Sequence, residues 1–229
     1  MKYLDNKRNN IVEINNEQEA RIILFDTTQK IEIRIEAIKY LKNNQKDLIK
    51  LALDKDELEP IRGLAFWYIK KQAVLEKIAL TAKDAYARRK ATSWLRNQKI
   101  LSKIALTDND DKVREAAIFN CKEQQTLITV ATNDDCWLAR LWAVGQIKDE
   151  NVLKQVALTD GDKSVKTTAA ANITDGKIIL SLAIETEDYD VARIVVAKLA
   201  DKEMLEVIAQ KAKLWKARDE AERKIKLYN

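Results

Sequence analysis

Histidine is absent from the 229-residue chain. Its absence removes Ser-His and Cys-His nucleophilic catalysis, imidazole metal sites and the ordinary physiological-pH switch. No glycine-rich phosphate loop is present. Four glycines and one proline are too few for a loop-rich or β fold. Two cysteines, Cys121 and Cys136, make no disulfide framework; Cys121 falls in a core column as a small buried hydrophobe, and Cys136 stands in a turn. No run of about 18 apolar residues offers a membrane span. The opening MKYLDNKRNN lacks the apolar core of a signal peptide, so the expected location is the cytoplasm. The acidic pairs Asp110–Asp111, Asp134–Asp135 and Glu187–Asp188 fall in inter-helix turns, where helix capping accounts for them. No catalytic residue, metal or cofactor is expected.

What the chain has in abundance is repetition. The unit is clearest in Leu101–Cys121, LSKIALTDNDDKVREAAIFNC. Its Ala105 recurs as Ala52, Ala79, Ala131, Ala157, Ala183 and Ala209, with Phe25 first, in steps of 27, 27 and then 26. A fixed period of this size marks a stacked array of supersecondary units. Four residues before the alanine runs Leu48, Leu75, Leu101, Leu127, Leu153, Ile179 and Leu205, and one before it another apolar column. That spacing is one face of a short helix, helix A. Nine residues after the alanine comes an arginine column, Arg34, Arg88, Arg114, Arg140 and Arg218, which Arg62 joins after a one-residue insertion and from which Lys166 and Ala192 depart. Around it, apolar residues at −1, small ones at +3 and large ones at +7 form one stripe of a second helix, helix B. Asn97, Asp149, Asp175 and Asp201 stand before A helices, and Asp84, Asp110, Asp162 and Asp188 before B helices, where short oxygen-bearing side chains satisfy free N–H groups. Pro60 sits in the first turn of a B helix, where its missing N–H had no partner.

These columns resemble the HEAT-like repeat family, in its short form L..IA.TD.D..VR..A...I, over about residues 17 to 226. The resemblance implies an all-α, right-handed α-solenoid of about eight two-helix repeats. Residues 1–16 are expected to be a polar tail or cap, and 17–229 a single solenoid domain. The resemblance also implies an inter-layer ladder of Asp84, Asp110, Asp162 and Asp188 with Arg88, Arg114 and Arg140, broken at Lys166 and Ala192.

Two sets of aromatics fall outside the core columns. Tyr40, Tyr68 and Trp94 lie six after the arginine, at the edge of the buried stripe, with Trp67 and Phe119 one position earlier. Trp137, Tyr189 and Trp215 begin B helices in a column that elsewhere holds Asp111 and Lys163, and Trp142 shares its column with Glu36, Lys90 and Glu220. Boundary packing is one account of them, and anchoring a partner is the other.

Charge is uneven. Residues 1–114 hold 24 Lys+Arg against 17 Asp+Glu, Glu123–Glu206 holds 9 against 15, and Lys211–Lys226 is basic again. A duplex track would not be interrupted in this way, whereas a charge-patterned protein partner fits. The leading expectation is a non-catalytic scaffold, monomeric and off the membrane, that binds a protein or peptide. The alternative is nucleic-acid binding, with Lys70, Lys71, Arg88, Arg89, Lys90, Arg96 and Arg140 as contacts. Bacterial alkylpurine DNA glycosylases use HEAT-like solenoids, and DCWLARLWAVGQI is similar to their inner wall. That likeness implies roles for Trp137, Trp142, Arg140 and Asp135. A HEAT-type lyase or chromophore-handling protein ranks last.

Overall fold

A computed structural model of the chain describes residues 2–5 and 10–227. It divides into two compact units, Met1–Asn97 and Gln98–Asn229. The first contains strands β1 (Lys2–Asp5) and β2 (Asn10–Glu13), then α1 (Glu17–Phe25), α2 (Ile31–Tyr40), α3 (Gln45–Leu53), α4 (Glu59–Tyr68), α5 (Gln72–Thr81) and α6 (Ala85–Thr92). The second contains α7 (Gln98–Thr107), α8 (Asp111–Asn120), α9 (Gln124–Asn133), α10 (Trp137–Val144), α11 (Glu150–Thr159), α12 (Lys163–Asn172), α13 (Gly176–Glu185), α14 (Tyr189–Lys198), α15 (Lys202–Lys211) and α16 (Trp215–Lys226). Odd-numbered helices are the A helices and even-numbered ones the B helices. Each A helix packs on the B helix that follows it, and within each unit successive pairs stack on one another. That is the architecture of an α-solenoid.

The helices form because their apolar residues recur on one face and their ends are capped. Asp162 accepts from the N–H groups of Ser164 and Val165, Asp175 from those of Lys177 and Ile178, and Asp188 from those of Asp190 and Val191. The core is the set of columns the repeat announces. The −1 and +3 positions of every B helix are buried, as are the leucine and isoleucine columns of the A helices. A further column at +4, Ile38, Phe66, Thr92, Ile118, Val144, Ala170 and Val196, is buried with them. At about 1.5–3 kcal/mol for each large apolar side chain fully buried, these columns dominate the folding free energy.

Residues 1–16 carry no period that predicts a strand. Instead β1 and β2 pair antiparallel, with Lys2 opposite Glu13 and Asp5 opposite Asn10. Residues 6–9, in the middle of the expected tail, lie outside the described residues.

Candidate interaction face

Most of the polar side chains conspicuous in the sequence are engaged in holding neighbouring helices together. In the second unit, Arg114 grips Asp134 through two parallel bonds of 2.8 Å, and Arg140 grips Asp160 at 2.7 and 3.0 Å. Each guanidinium also donates to a carbonyl of its own inter-helix turn, Asp108 O at 3.1 Å and Asp134 O at 2.7 Å. In the first unit Arg34 pairs with Glu57, and Arg62 with Asp84. Arg88 donates to the carbonyls of Ala82 and Lys83 in its own turn.

The tie in the second unit runs two residues earlier than the resemblance implies. Asp160, at the end of α11, is the ladder acid, while Asp162 caps α12; likewise Asp110 caps α8. Where the earlier position is not acidic, as at Ala82 and Thr186, the later aspartate takes the cation: Asp84 meets Arg62, and Asp188 meets Lys166 at 3.5 Å. The ladder therefore continues through Lys166, where a break was expected. Burial alone would raise the carboxyls of Asp134 and Asp160. The hydrogen bonds from Arg114 and Arg140, with those from the N–H groups of Cys136 and Asp162, outweigh it and hold both below the ordinary range. Asp84 is lowered in the same way by Arg62.

Two further polar columns take roles that their spacing does not announce, one of them the column six after the arginine, where Tyr40, Tyr68 and Trp94 give way to Asn120, Gln146, Asn172, Lys198 and Lys224. A glutamine opens successive A helices and clamps the end of its own B helix. Gln124 donates to Gln146 O at 3.1 Å and accepts from Lys148 N at 2.9 Å; Gln72 does the same with Trp94 O and Arg96 N. In the column six after the arginine, polar residues cap the preceding B helix. Gln146 donates to Ile118 O at 2.9 Å, Asn172 to Val144 O at 3.3 Å, and Lys224 to Leu199 O at 2.6 Å and Ala197 O at 2.9 Å. Lys198 reaches Ala171 O at 2.6 Å and also Ile173 O. Burial of this ammonium pushes its pKa down.

The large apolar side chains left exposed on the B helices, among charged neighbours, are aromatic. Trp137, Trp142, Tyr189, Trp215, Tyr40 and Trp94 are all exposed, and Tyr68 is half-buried. The structure adds Trp67 and Phe119, which are 61% and 69% exposed, more than Tyr40 or Trp94. In the first unit Trp67 of α4 meets Trp94, in the turn after α6, edge to face, with centroids 5.0 Å apart. In the second, Phe119 of α8 meets Trp142 of α10 at 6.2 Å. Tyr189 carries Lys216 over its ring at 4.4 Å. Exposed aromatic pairs of this kind present large rigid area at little entropic cost.

The nucleic-acid candidates separate in two. Arg140 is committed to Asp160 and its own turn. Lys70, Lys71 and Arg96 are exposed on the loops that follow α4 and α6, whereas Arg89 and Lys90 flank Tyr86 on α6 itself, their cations 5.6 and 5.4 Å from its ring. Asp111, Glu115 and Cys136 bring three donor atoms within 4.8 Å of one another, and Lys112 already neutralises Glu115 at 2.9 Å. Among the described residues no helix is long and apolar enough to cross a membrane.

Comparison with protein-family models finds none that matches the chain, and comparison with curated proteins finds no match either. The geometry by itself shows a helical repeat protein, with sixteen described helices packed in sequential pairs.

Proposed function

We propose that this chain is a HEAT-like repeat protein of the cytoplasm that acts as a non-catalytic interaction scaffold, binding a protein or peptide through its B helices. The observation that carries this reading is the display of aromatic side chains on those helices. Trp67, Trp94, Phe119 and Trp142 stay exposed although each touches an aromatic of a neighbouring layer. Exposed aromatic clusters of this kind are the side chains that serve as interface anchors. Polar groups close by, such as Arg114, Gln124 and Gln146, are engaged in the ladder, the clamps and the caps.

A photo-crosslinking amino acid tests the reading. Placed at Trp67 or Trp142 it is expected to capture discrete protein partners in cells. Placed at Ile22 or Leu106, exposed positions on A helices, it is expected to capture none of them. Equal capture from both faces, or capture of nucleic acid alone, would refute it.

A further inference from the structure

On the B helices of the first unit lies a groove of about 640 Å³ lined by Ile35, Gly63, Leu64, Trp67, Tyr86 and Lys90. Gly63 of α4 lies beside Tyr86. A Cβ there would stand 3.4 Å from the Tyr86 hydroxyl, which crosses to α4 and donates to Glu59 O at 3.0 Å. That bond fixes the tyrosine as the floor between α4 and α6. Ile35 and Leu64 make the rest of the floor apolar, and Trp67, with Trp94 packed against it, forms one wall.

The groove is lined by one carboxylate, Glu59, and one ammonium, Lys90, and further cations gather at the Tyr86 ring. Three cations surround the Tyr86 ring: Arg62 at 4.4 Å, Lys90 at 5.4 Å and Arg89 at 5.6 Å. Arg62 is matched by Asp84. Arg89 and Lys90 have no carboxylate partner among the described residues. The unit as a whole holds 20 Lys+Arg against 14 Asp+Glu. An apolar floor beside two unmatched cations complements a segment that carries a large apolar side chain next to an acidic one.

Resting on the scaffold reading, we propose that this groove docks an amphipathic acidic segment of a partner protein, its apolar anchor against Ile35, Leu64 and Trp67 and its carboxylates against Arg89 and Lys90. The groove is open along one side, so it suits a chain lying across it more than an enclosed small molecule. A nucleic-acid backbone fits less well, because it carries no large apolar side chain to set against Ile35 and Leu64.

The test is selection of a random dodecapeptide display library on the full chain. Recovered peptides are then labelled and titrated against wild type, Trp67→Ala, the pair Arg89→Glu with Lys90→Glu, and Ile22→Ala as a control on an A helix. Circular dichroism verifies that each variant keeps its helices. The proposal expects peptides that combine Trp, Phe or Leu with Asp or Glu. Their binding should fall about tenfold or more in Trp67→Ala and in the charge-reversed pair. It should be restored to that pair by peptides whose acids are replaced by lysine, and be untouched by Ile22→Ala. Peptides that bind equally well to all variants, or peptides that are basic, would overturn the groove assignment while leaving the scaffold reading in place. Recovery of no peptide would overturn the groove as a peptide site, and crosslinking from Trp142 would then decide the broader reading. Binding of labelled oligothymidylate that is lost in the charge-reversed pair would overturn both.

Discussion

Arg34 reaches from α2 to Glu57 of the next pair, with the two side chains only 2% and 6% exposed, and its Nε donates to Leu24 O at 2.8 Å. It is the most enclosed of the ladder pairs. Removing one partner strands the other charge away from water. Arg34→Ala or Glu57→Ala is therefore expected to destabilise α1–α4 by about 3–5 kcal/mol. Replacing both with well-packed apolar residues, Arg34→Met with Glu57→Leu, is expected to cost less than either single change. Hydrogen exchange of peptides from α1 to α4 reads both outcomes.

Arg114 and Asp134 are partly accessible, at 15% and 7%, so their tie should be weaker. A double-mutant cycle with Arg114→Ala and Asp134→Ala is expected to return a coupling of about 1.5–3 kcal/mol, the range for hydrogen bonds between charged groups. A coupling indistinguishable from zero would show that the turn carbonyls, rather than the carboxylate, hold the guanidinium.

The ladder also sets the pH response. Asp84, Asp134 and Asp160 have folded pKa values below their ordinary value of 3.8. Their stabilisation is fully present above that value and is lost as pH falls through the lower, folded one. Without histidine, no side chain of ordinary pKa titrates between about pH 5 and 8. Denaturation midpoints are thus expected to be level over that range and to fall below about pH 4. Asp134→Asn together with Asp160→Asn should lower the plateau and flatten the acid limb. A fall centred near neutrality would contradict this account.

Lys224 holds three carbonyls at the end of α14, those of Val196, Ala197 and Leu199. Lys224→Met keeps the aliphatic stem and deletes the donors. It is expected to reduce protection of α14 and α16 amides by about 1–2 kcal/mol, with Lys224→Arg recovering part of the loss. Protection in α7–α10 should be unchanged, because stacked repeats feel chiefly their neighbours.

Much of the fold was legible because burial repeats with the period. Ala117, Ala143 and Ala169 sit at the same depth, and each was identified from its place in the unit. The ladder acid was harder. Asp160 and Asp162 are both periodic, and only the approach of the next layer decides which one Arg140 meets. The glutamine clamp was overlooked because Gln72, Gln98 and Gln124 look like ordinary helix-surface residues until their amides are seen against the neighbouring turn. The strand pair of residues 2–5 and 10–13 is too short for an alternating pattern to register. At the interaction face, exposure of Trp137 and Trp215 was readable from a column that tolerates Asp111 and Lys163. The pairing of Trp67 with Trp94 depends on how α4 and α6 are set against each other, which no spacing within one helix reveals.

Within the second unit the ties described reach no farther than the adjacent pair: Arg114 to Asp134, Arg140 to Asp160, Gln146 to Ile118, Lys224 to Leu199. Positions in this unit are thus addressed relative to the next layer, not to an absolute place in the chain. Excising one whole period, from α9 through α10, would bring Asp160 to Arg114 in the register that Asp134 now occupies. Length is in this sense an editable property of the protein, while cutting at any spacing other than a full period would leave charges facing the wrong turn.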